Sequence, residues 1–207
     1  MKGWYSERPA HSLAARGIKV RAKGHHSSKI KNTKQTNSKA VTKPKIIVDL
    51  DGSVANIKFR VNAAKMASKG DVGSDKYWST LFSSKLVKFD RPIEGTAMFL
   101  TSLEKKYDIV YVTGRPTSMA RATNKWLSDN DFPKAKVHYR PPNESTCEFK
   151  EEVFSKMDNV ALSIGDGRDE MRAARTNKIR HIRIRENKTW DERLILRRLD
   201  RYESAHK

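Results

Sequence analysis

Cysteine is nearly absent from this chain. Cys147 is the only one, so no disulfide can form within the chain and a reducing, intracellular setting is expected. No Cys/His cluster has the spacing of a zinc site. Long apolar runs are missing too. Nothing approaches the ~20 residues that cross a bilayer, and the first residues lack the apolar stretch of a secretory signal. These absences point to a soluble, cytoplasmic protein with no membrane partner. Aromatic residues make up 8% of the 207 and hydrophobic residues 37%, so the core must be concentrated in part of the chain.

Negative charge is scarce. There are 43 Lys and Arg against 24 Asp and Glu, a formal net charge of +19. Residues 1–45 hold twelve Lys and Arg against one acid, Glu7, a net of +11, which leaves +8 for the remaining 162 residues. Both parts are basic, so a polyanionic partner is expected, nucleic acid first. Residues 1–44 are rich in Lys, Ser, Thr, Asn, His and Gly, and Gly24 to Pro44 cannot bury enough apolar area to offset its ordering entropy. A flexible basic arm is therefore predicted over 1–44, with a helical turn or two between Trp4 and Ile18.

From residue 45 onward strand and helix patterns alternate. β-Branched runs predict strands at 45–50, 107–113, 135–139, 159–164 and 180–184. Helical spacing falls at 93–106, 118–129, 148–157 and 167–177. A C-terminal helix over 189–204 is opened by Thr189 and Glu192 in capping-box form. Its exposed arginines, Arg193, Arg197, Arg198 and Arg201, read as a solvated face. Such alternation implies an α/β domain over 45–207, with a parallel sheet and helices on both faces. Residues 53–91 are too long for a one-helix crossover. Val54, Ile57, Val61, Ala64 and Met66, then Tyr77, Trp78, Leu81, Phe82 and Leu86, predict a helical insertion that could cover a site at the end of the first strand.

Four short pieces carry chemistry, and three of them follow predicted strands. They are Asp49-Leu50-Asp51-Gly52, Thr113-Gly114-Arg115-Pro116, Lys150, and Gly165-Asp166-Gly167-Arg168. Open α/β sheets bind ligands at the carboxyl ends of their strands, so these groups should converge. Asp49 and Asp51, two apart at a strand end, should share a face and hold a cation or a proton between them. Hard oxygen ligands favour Mg2+. Thr113, the Gly114 N–H and Arg115, ahead of a helix whose first turn Pro116 suits, form a possible phosphate cradle. Asp166 could reach the metal or could cap the following helix.

Together these pieces resemble the haloacid dehalogenase superfamily of phosphohydrolases over about residues 45–186. The likeness is nearest to the 3′-phosphatase domain of phage-type polynucleotide kinase-phosphatases. Thr113-Gly-Arg115 is similar to that domain's Ser-Gly-Arg, Asn124-Lys-Trp-Leu127 to its Arg-Lys-Trp-Val, and Lys150-Glu-Glu-Val-Phe154 to its Lys-Glu-Glu-Ile-Phe. Two departures stand out. Ser53 replaces the commoner Thr, and the last motif lacks the second adjacent acid, for which Asp169 is a candidate. No Gly-x-x-x-x-Gly-Lys-Ser/Thr loop is present, so the kinase half is missing.

The resemblance implies a Rossmannoid three-layer sandwich with a five-stranded parallel sheet and a small helical cap after the first strand. It also implies a Mg2+-dependent phosphomonoesterase acting on a nucleic-acid or nucleotide end. Asp49 would be the nucleophile and Asp51 the acid and base. Thr113, the Gly114 N–H and Lys150 would hold the phosphoryl oxygens, Arg115 would meet either the phosphate or the nucleic-acid backbone, and Asp49, the Asp51 carbonyl and Asp166 would hold the metal. The alternatives are a 5′(3′)-deoxynucleotidase or other small-molecule phosphatase, and a nucleic-acid-binding protein on a degenerate phosphatase fold.

Overall fold

The apolar run Ile46-Ile47-Val48, opened by Lys45, forms the central strand β1 (Lys45–Val48). All three apolar residues are buried, as expected for a strand covered on both faces. The structure, a computed structural model, describes residues 42–206. The expected basic arm and the helical turns near Trp4 lie outside the described residues, apart from Thr42–Pro44. These three residues lean on the domain. The Pro44 carbonyl accepts from Asp108 N at 2.9 Å, and the Thr42 carbonyl accepts from Asn159 Nδ2 at 3.0 Å.

After β1 come β2 (Ala55–Asn56), α1 (Lys58–Ala67), α2 (Asp75–Leu81), a 3-10 helix (Ser84–Phe89) and β3 (Arg91–Pro92). Then follow α3 (Thr96–Leu103), β4 (Asp108–Pro116), α4 (Ala120–Asp129) and β5 (Lys136–Arg140). The chain continues through α5 (Thr146–Ser155), β6 (Val160–Gly165), α6 (Arg168–Thr176), β7 (His181–Arg183) and α7 (Glu192–Ala205). The five-stranded sheet has the order β5-β4-β1-β6-β7 and is parallel throughout. The chain moves outward from β1 through β4 to β5, then returns to place β6 on the other side of β1. Helices α3 and α4 lie on one face and α5 and α6 on the other.

The side chains follow this division. Ile46, Val48 and Leu50 pack with Phe99, Leu100, Trp126, Leu127, Ile195 and Leu199 on the α3, α4 and α7 face. Ile47 packs with Val110, Val112, Phe149, Phe154, Ala173 and Ala174 on the α5 and α6 face. Three layers result. The insertion after β1 is framed by the antiparallel β2–β3 pair and has a small core of its own, with Ala64, Tyr77 and Leu81 packed by Val61 and Phe82.

Several local expectations shift. The helical spacing assigned from Val54 starts only at Lys58, because Val54 and Ala55 turn back on Leu50, whose carbonyl accepts from both their amides at 2.9 Å. Met66, expected on the apolar stripe, is 81% exposed. The capping box at Thr189 does not form: Asp191 is the cap, and its Oδ1 accepts from Leu194 N at 3.0 Å. A capping box appears instead at α5. Ser145 Oγ accepts from Glu148 N at 3.2 Å and donates to Glu148 Oε2 at 2.8 Å, so the helix starts at Thr146 rather than at Glu148. No helix among the described residues is long and apolar enough to cross a membrane.

Candidate active site

β1 ends at Val48, and the next residues leave the sheet at its carboxyl end, beside the ends of β4 and β6. Val48 pairs with Tyr111 on one side and Ile164 on the other. Thr113 and Asp166 therefore stand two residues beyond its partners, level with the Asp49-Leu50-Asp51 segment. The direction of chain travel reverses here, and open parallel sheets form their crevice at such a point.

Asp49 is buried. Its amide donates to the Ile164 carbonyl at 3.0 Å. Its carboxylate accepts from Lys150 Nζ at 2.8 Å on Oδ1 and from Ser53 Oγ at 3.3 Å on Oδ2. Burial pushes the Asp49 carboxyl up, against the pull of Lys150. Lys150 comes from α5 and is only 2% exposed, although Phe-Lys-Glu-Glu reads as a surface string. Its ammonium also pairs with Glu170 Oε1.

Asp166 is held by Ser53, whose Oγ donates to its Oδ1 at 2.9 Å and accepts from its amide at 3.2 Å. Burial, then the nearby Asp49 charge, raise the Asp166 carboxyl to about 6. Of its two possible roles, capping α6 is not the one taken: Gly167 is the cap residue and makes no side-chain bond. Gly52 makes this closeness possible. It has φ +78°, and a Cβ there would lie 2.6 Å from Asp166 Oδ2. The β7–α7 loop clamps the same turn. Asn187 N donates to the Gly52 carbonyl at 2.8 Å, and Trp190 Nε1 to the Ser53 carbonyl at 2.8 Å.

The Asp51 carboxylate bonds to a different set of side chains from Asp49. β1 has ended, and the two carboxylates turn to different partners. Asp51 Oδ1 accepts from Arg60 Nη2 at 2.6 Å and from Arg115 Nε at 2.8 Å and Nη2 at 2.5 Å. Burial alone would raise this carboxyl, but Arg115 and Arg60 outweigh it and hold it below the usual range. Both guanidiniums continue to Asp90. Arg60 Nε reaches its two oxygens at 2.8 and 3.0 Å, and Arg115 Nη2 reaches Oδ2 at 2.8 Å. Two acids and two arginines thus form a charge-balanced quartet, buried except at the partly exposed Asp51.

A haloacid dehalogenase-like hydrolase from Streptococcus pneumoniae superposes with a TM-score of 0.55 at 16% identity, over 77% of this chain and 90% of that one. The fold is haloacid-dehalogenase-like. The class C acid phosphatase from Bacillus anthracis matches this fold with a TM-score of 0.51 at 21% identity, over 82% and 81% of the two chains. A chain of the Pnkp1/Rnl/Hen1 RNA repair complex matches with a TM-score of 0.52 at 18% identity, over 69% of this chain and 42% of that one. The present chain spans about half the length of the RNA-repair chains it matches, 42% and 53%. A family model described as the LNS2 domain of PITM 1-3 matches residues 90–171, a stretch that holds Thr113, Lys150 and Asp166 but not Asp49 or Asp51. No curated protein matches.

Within this fold the Thr113-Gly-Arg-Pro piece is not a helix N-terminus. β4 runs through Pro116, a 3-10 turn (Thr117–Met119) follows, and α4 starts only at Ala120. The Thr113 hydroxyl accepts from Arg115 N at 3.2 Å. Gly114 packs against Thr146, where a Cβ would meet Cγ2 at 2.9 Å. Arg115, expected to meet phosphate or a nucleic-acid backbone, is fully buried and spends its guanidinium on Asp51, Asp90 and Thr123. Its long side chain, with a carboxylate within reach, turns inward to satisfy that charge.

Three site residues went unforeseen. Arg60 falls on the apolar stripe of α1 between Ile57 and Ala64, a position where a cation must find a buried acid, so its spacing carried a signal. Asp90 closes the insertion without any pattern to mark it. Glu170, rather than Asp169, turns inward from α6, because Gly165 leaves room for it: a Cβ there would lie 2.8 Å from Glu170 Cγ and 3.3 Å from Asp49 Cβ.

The residues present fit a divalent cation. Asp49, Asp166 and Glu170 set three negative charges against the single ammonium of Lys150, and Glu170 Oε2 is buried without a hydrogen-bond partner. The cluster is short of two positive charges, whereas the Asp51 quartet is balanced. Among the described residues no three His, Cys, Asp or Glu side chains form a metal cage.

Proposed function

We propose that this chain is a Mg2+-dependent phosphomonoesterase that works through an aspartyl-phosphate on Asp49, with a nucleic-acid or nucleotide terminal phosphate as substrate. The observation that carries the reading is the pairing of Asp49 with Lys150 and Ser53 at the carboxyl end of β1, with Asp166 across the turn. Asp49 is the nucleophile: one oxygen stays on Lys150 while the other attacks phosphorus and the leaving oxygen departs. Asp51 is the proton carrier. Its three arginine bonds all fall on Oδ1, which leaves Oδ2 to take a proton from the attacking water in the second step; the same arginines favour the carboxylate, so donation to the leaving oxygen requires that Oδ2 first be protonated as the anionic substrate binds beside it.

Thr113, the Gly114 N–H and Lys150 hold the phosphoryl oxygens, and Arg115 acts on Asp51 rather than on substrate. The Asp49 and Asp166 carboxylates and the Asp51 main-chain carbonyl would hold Mg2+, whose charge offsets repulsion between an anionic substrate and a carboxylate nucleophile. The likeness to the RNA repair chain and the basic composition support a nucleic-acid end as substrate.

The test is Mg2+-dependent phosphate release from a 3′-phosphorylated oligonucleotide, a 3′-mononucleotide, a 5′-mononucleotide and an aryl phosphate. Preference for the oligonucleotide is expected. Preference for a mononucleotide would move the assignment to a nucleotidase. No release from any of them, by folded protein with Mg2+ present, would overturn the enzyme reading.

A further inference from the structure

Of the eight exposed large hydrophobic residues among those described, five sit on the insertion: Phe59, Met66, Val72, Trp78 and Phe89. Most of the exposed large apolar side chains among the described residues therefore belong to this one segment. The same segment, residues 54–92, carries eight Lys and Arg against three Asp. Exposed aromatics interleaved with unpaired cations are the chemistry of a surface that binds single-stranded nucleic acid.

One groove gathers both features. It has a volume of about 570 Å3 and is lined by Asn56, Lys58, Phe59, Lys88, Phe89 and Arg91. The Phe59 and Phe89 rings stand 4.7 Å apart at 37°, and are 49% and 45% exposed. Lys88 Nζ lies 5.1 Å from the centre of the Phe89 ring. Among the described residues, Lys58, Lys88 and Arg91 form no ion pair, so their charge is free for a ligand. The groove is tied to the catalytic acids. Asp90 also lines it and reaches Asp51 through Arg60 and Arg115.

We propose that this groove is a stacking platform for the unpaired bases of a single-stranded nucleic acid whose terminal phosphate enters the Asp49 site, a proposal that rests on the phosphatase reading above. The exposed part of the Phe59–Phe89 pair offers aromatic surface to any base, and three cations track the phosphates. Selection is therefore for single strands over duplex, with little preference among bases. The charge is of the wrong sign for a basic partner, and paired phenylalanines add nothing to a purely electrostatic contact.

The experiment uses the full chain, as wild type, as Phe59→Ala/Phe89→Ala and as Lys88→Gln/Arg91→Gln, each checked for wild-type melting. Fluorescence anisotropy over a salt series reports binding of an unphosphorylated single strand and of a blunt duplex, and aryl phosphate hydrolysis is measured separately. The aromatic variant should bind the single strand about tenfold or more weakly, with its salt slope and duplex binding unchanged. The charge variant, which removes two cations, should lose about 1.4 units of salt slope on the single strand. Both should hydrolyse aryl phosphate as wild type does. Unchanged single-strand affinity in the aromatic variant overturns the proposal. So does displacement of the strand by a poly-glutamate peptide as readily as by a second strand, which would indicate an acidic protein partner. Should the wild type release no phosphate from any substrate, the phosphatase reading fails, while the binding comparison still decides the platform.

Discussion

Asp49 is the residue on which the proposed chemistry depends, and its neighbours make a clean test possible. Lys150 would still bond the amide oxygen, and the Ser53 hydroxyl oxygen could accept from the amide nitrogen in place of Oδ2, so Asp49→Asn should fold as wild type and lose phosphate release completely. Circular dichroism beside a turnover assay checks this, and ordinary turnover would sink the assignment. A second residue reports on stability rather than chemistry. His181 is packed beside Ser163, with Nδ1 3.3 Å from its hydroxyl and Nε2 buried without a partner. Burial, then Lys150 and Arg183, lower its pKa from 6.5 to about 4. The unfolded chain then binds a proton between these values that the folded protein refuses, so stability falls as pH drops from about 6.5 to about 4. Urea unfolding across that window should show the loss, and His181→Gln should flatten it.

At the scale of elements, the insertion is bound to the Rossmannoid layers through α1. Arg60 donates to Asp51, Asp90 and the Leu81 carbonyl, all from a fully buried position. Arg60→Met keeps much of the packing volume and leaves two acids facing one guanidinium. Removing one partner from a buried pair costs about 3–5 kcal/mol, so a shift of that order in urea unfolding is expected, along with weaker turnover because Asp51 loses a partner. An unchanged unfolding midpoint would show that the quartet adds nothing to stability. The elements also explain why Lys150 is buried: Ser145 caps α5 and sets the register that points Lys150, rather than Glu151 or Glu152, at Asp49.

At the scale of the whole molecule, charge distribution sets two expectations. The anion-rich cluster of Asp49, Asp166 and Glu170 should bind Mg2+ more tightly in the folded than in the unfolded chain. Mg2+ at about a hundredfold excess over its Kd should then add about 2.7 kcal/mol of stability. A thermal melt with and without Mg2+ measures this, and Asp166→Asn should abolish most of the gain. The second expectation concerns the basic N-terminal residues. Because Thr42 and Pro44 bond to the domain, a deletion should stop at residue 41. It should weaken hydrolysis of a phosphorylated oligonucleotide and reduce its salt dependence, while mononucleotide hydrolysis stays constant. Equal losses on both substrates would show that these residues serve folding.

Five parallel strands, their helices and the placement of Asp49, Thr113 and Asp166 at the carboxyl ends of neighbouring strands could be read from the sequence. Apolar periodicity dictates what is buried, and placement after a strand dictates which end of the sheet a residue reaches. The partners could not be read that way. That Asp51 faces Arg60 and Arg115 rather than Asp49, that Glu170 turns inward instead of Asp169, and that Arg115 is spent on buried acids all depend on which long side chains lie within hydrogen-bond reach. Those distances arise only when the insertion folds back over the sheet and bring together residues dozens apart in the chain. Local pattern determines the elements of this protein, and the need to neutralise charge in a dry interior determines how its acids and bases pair.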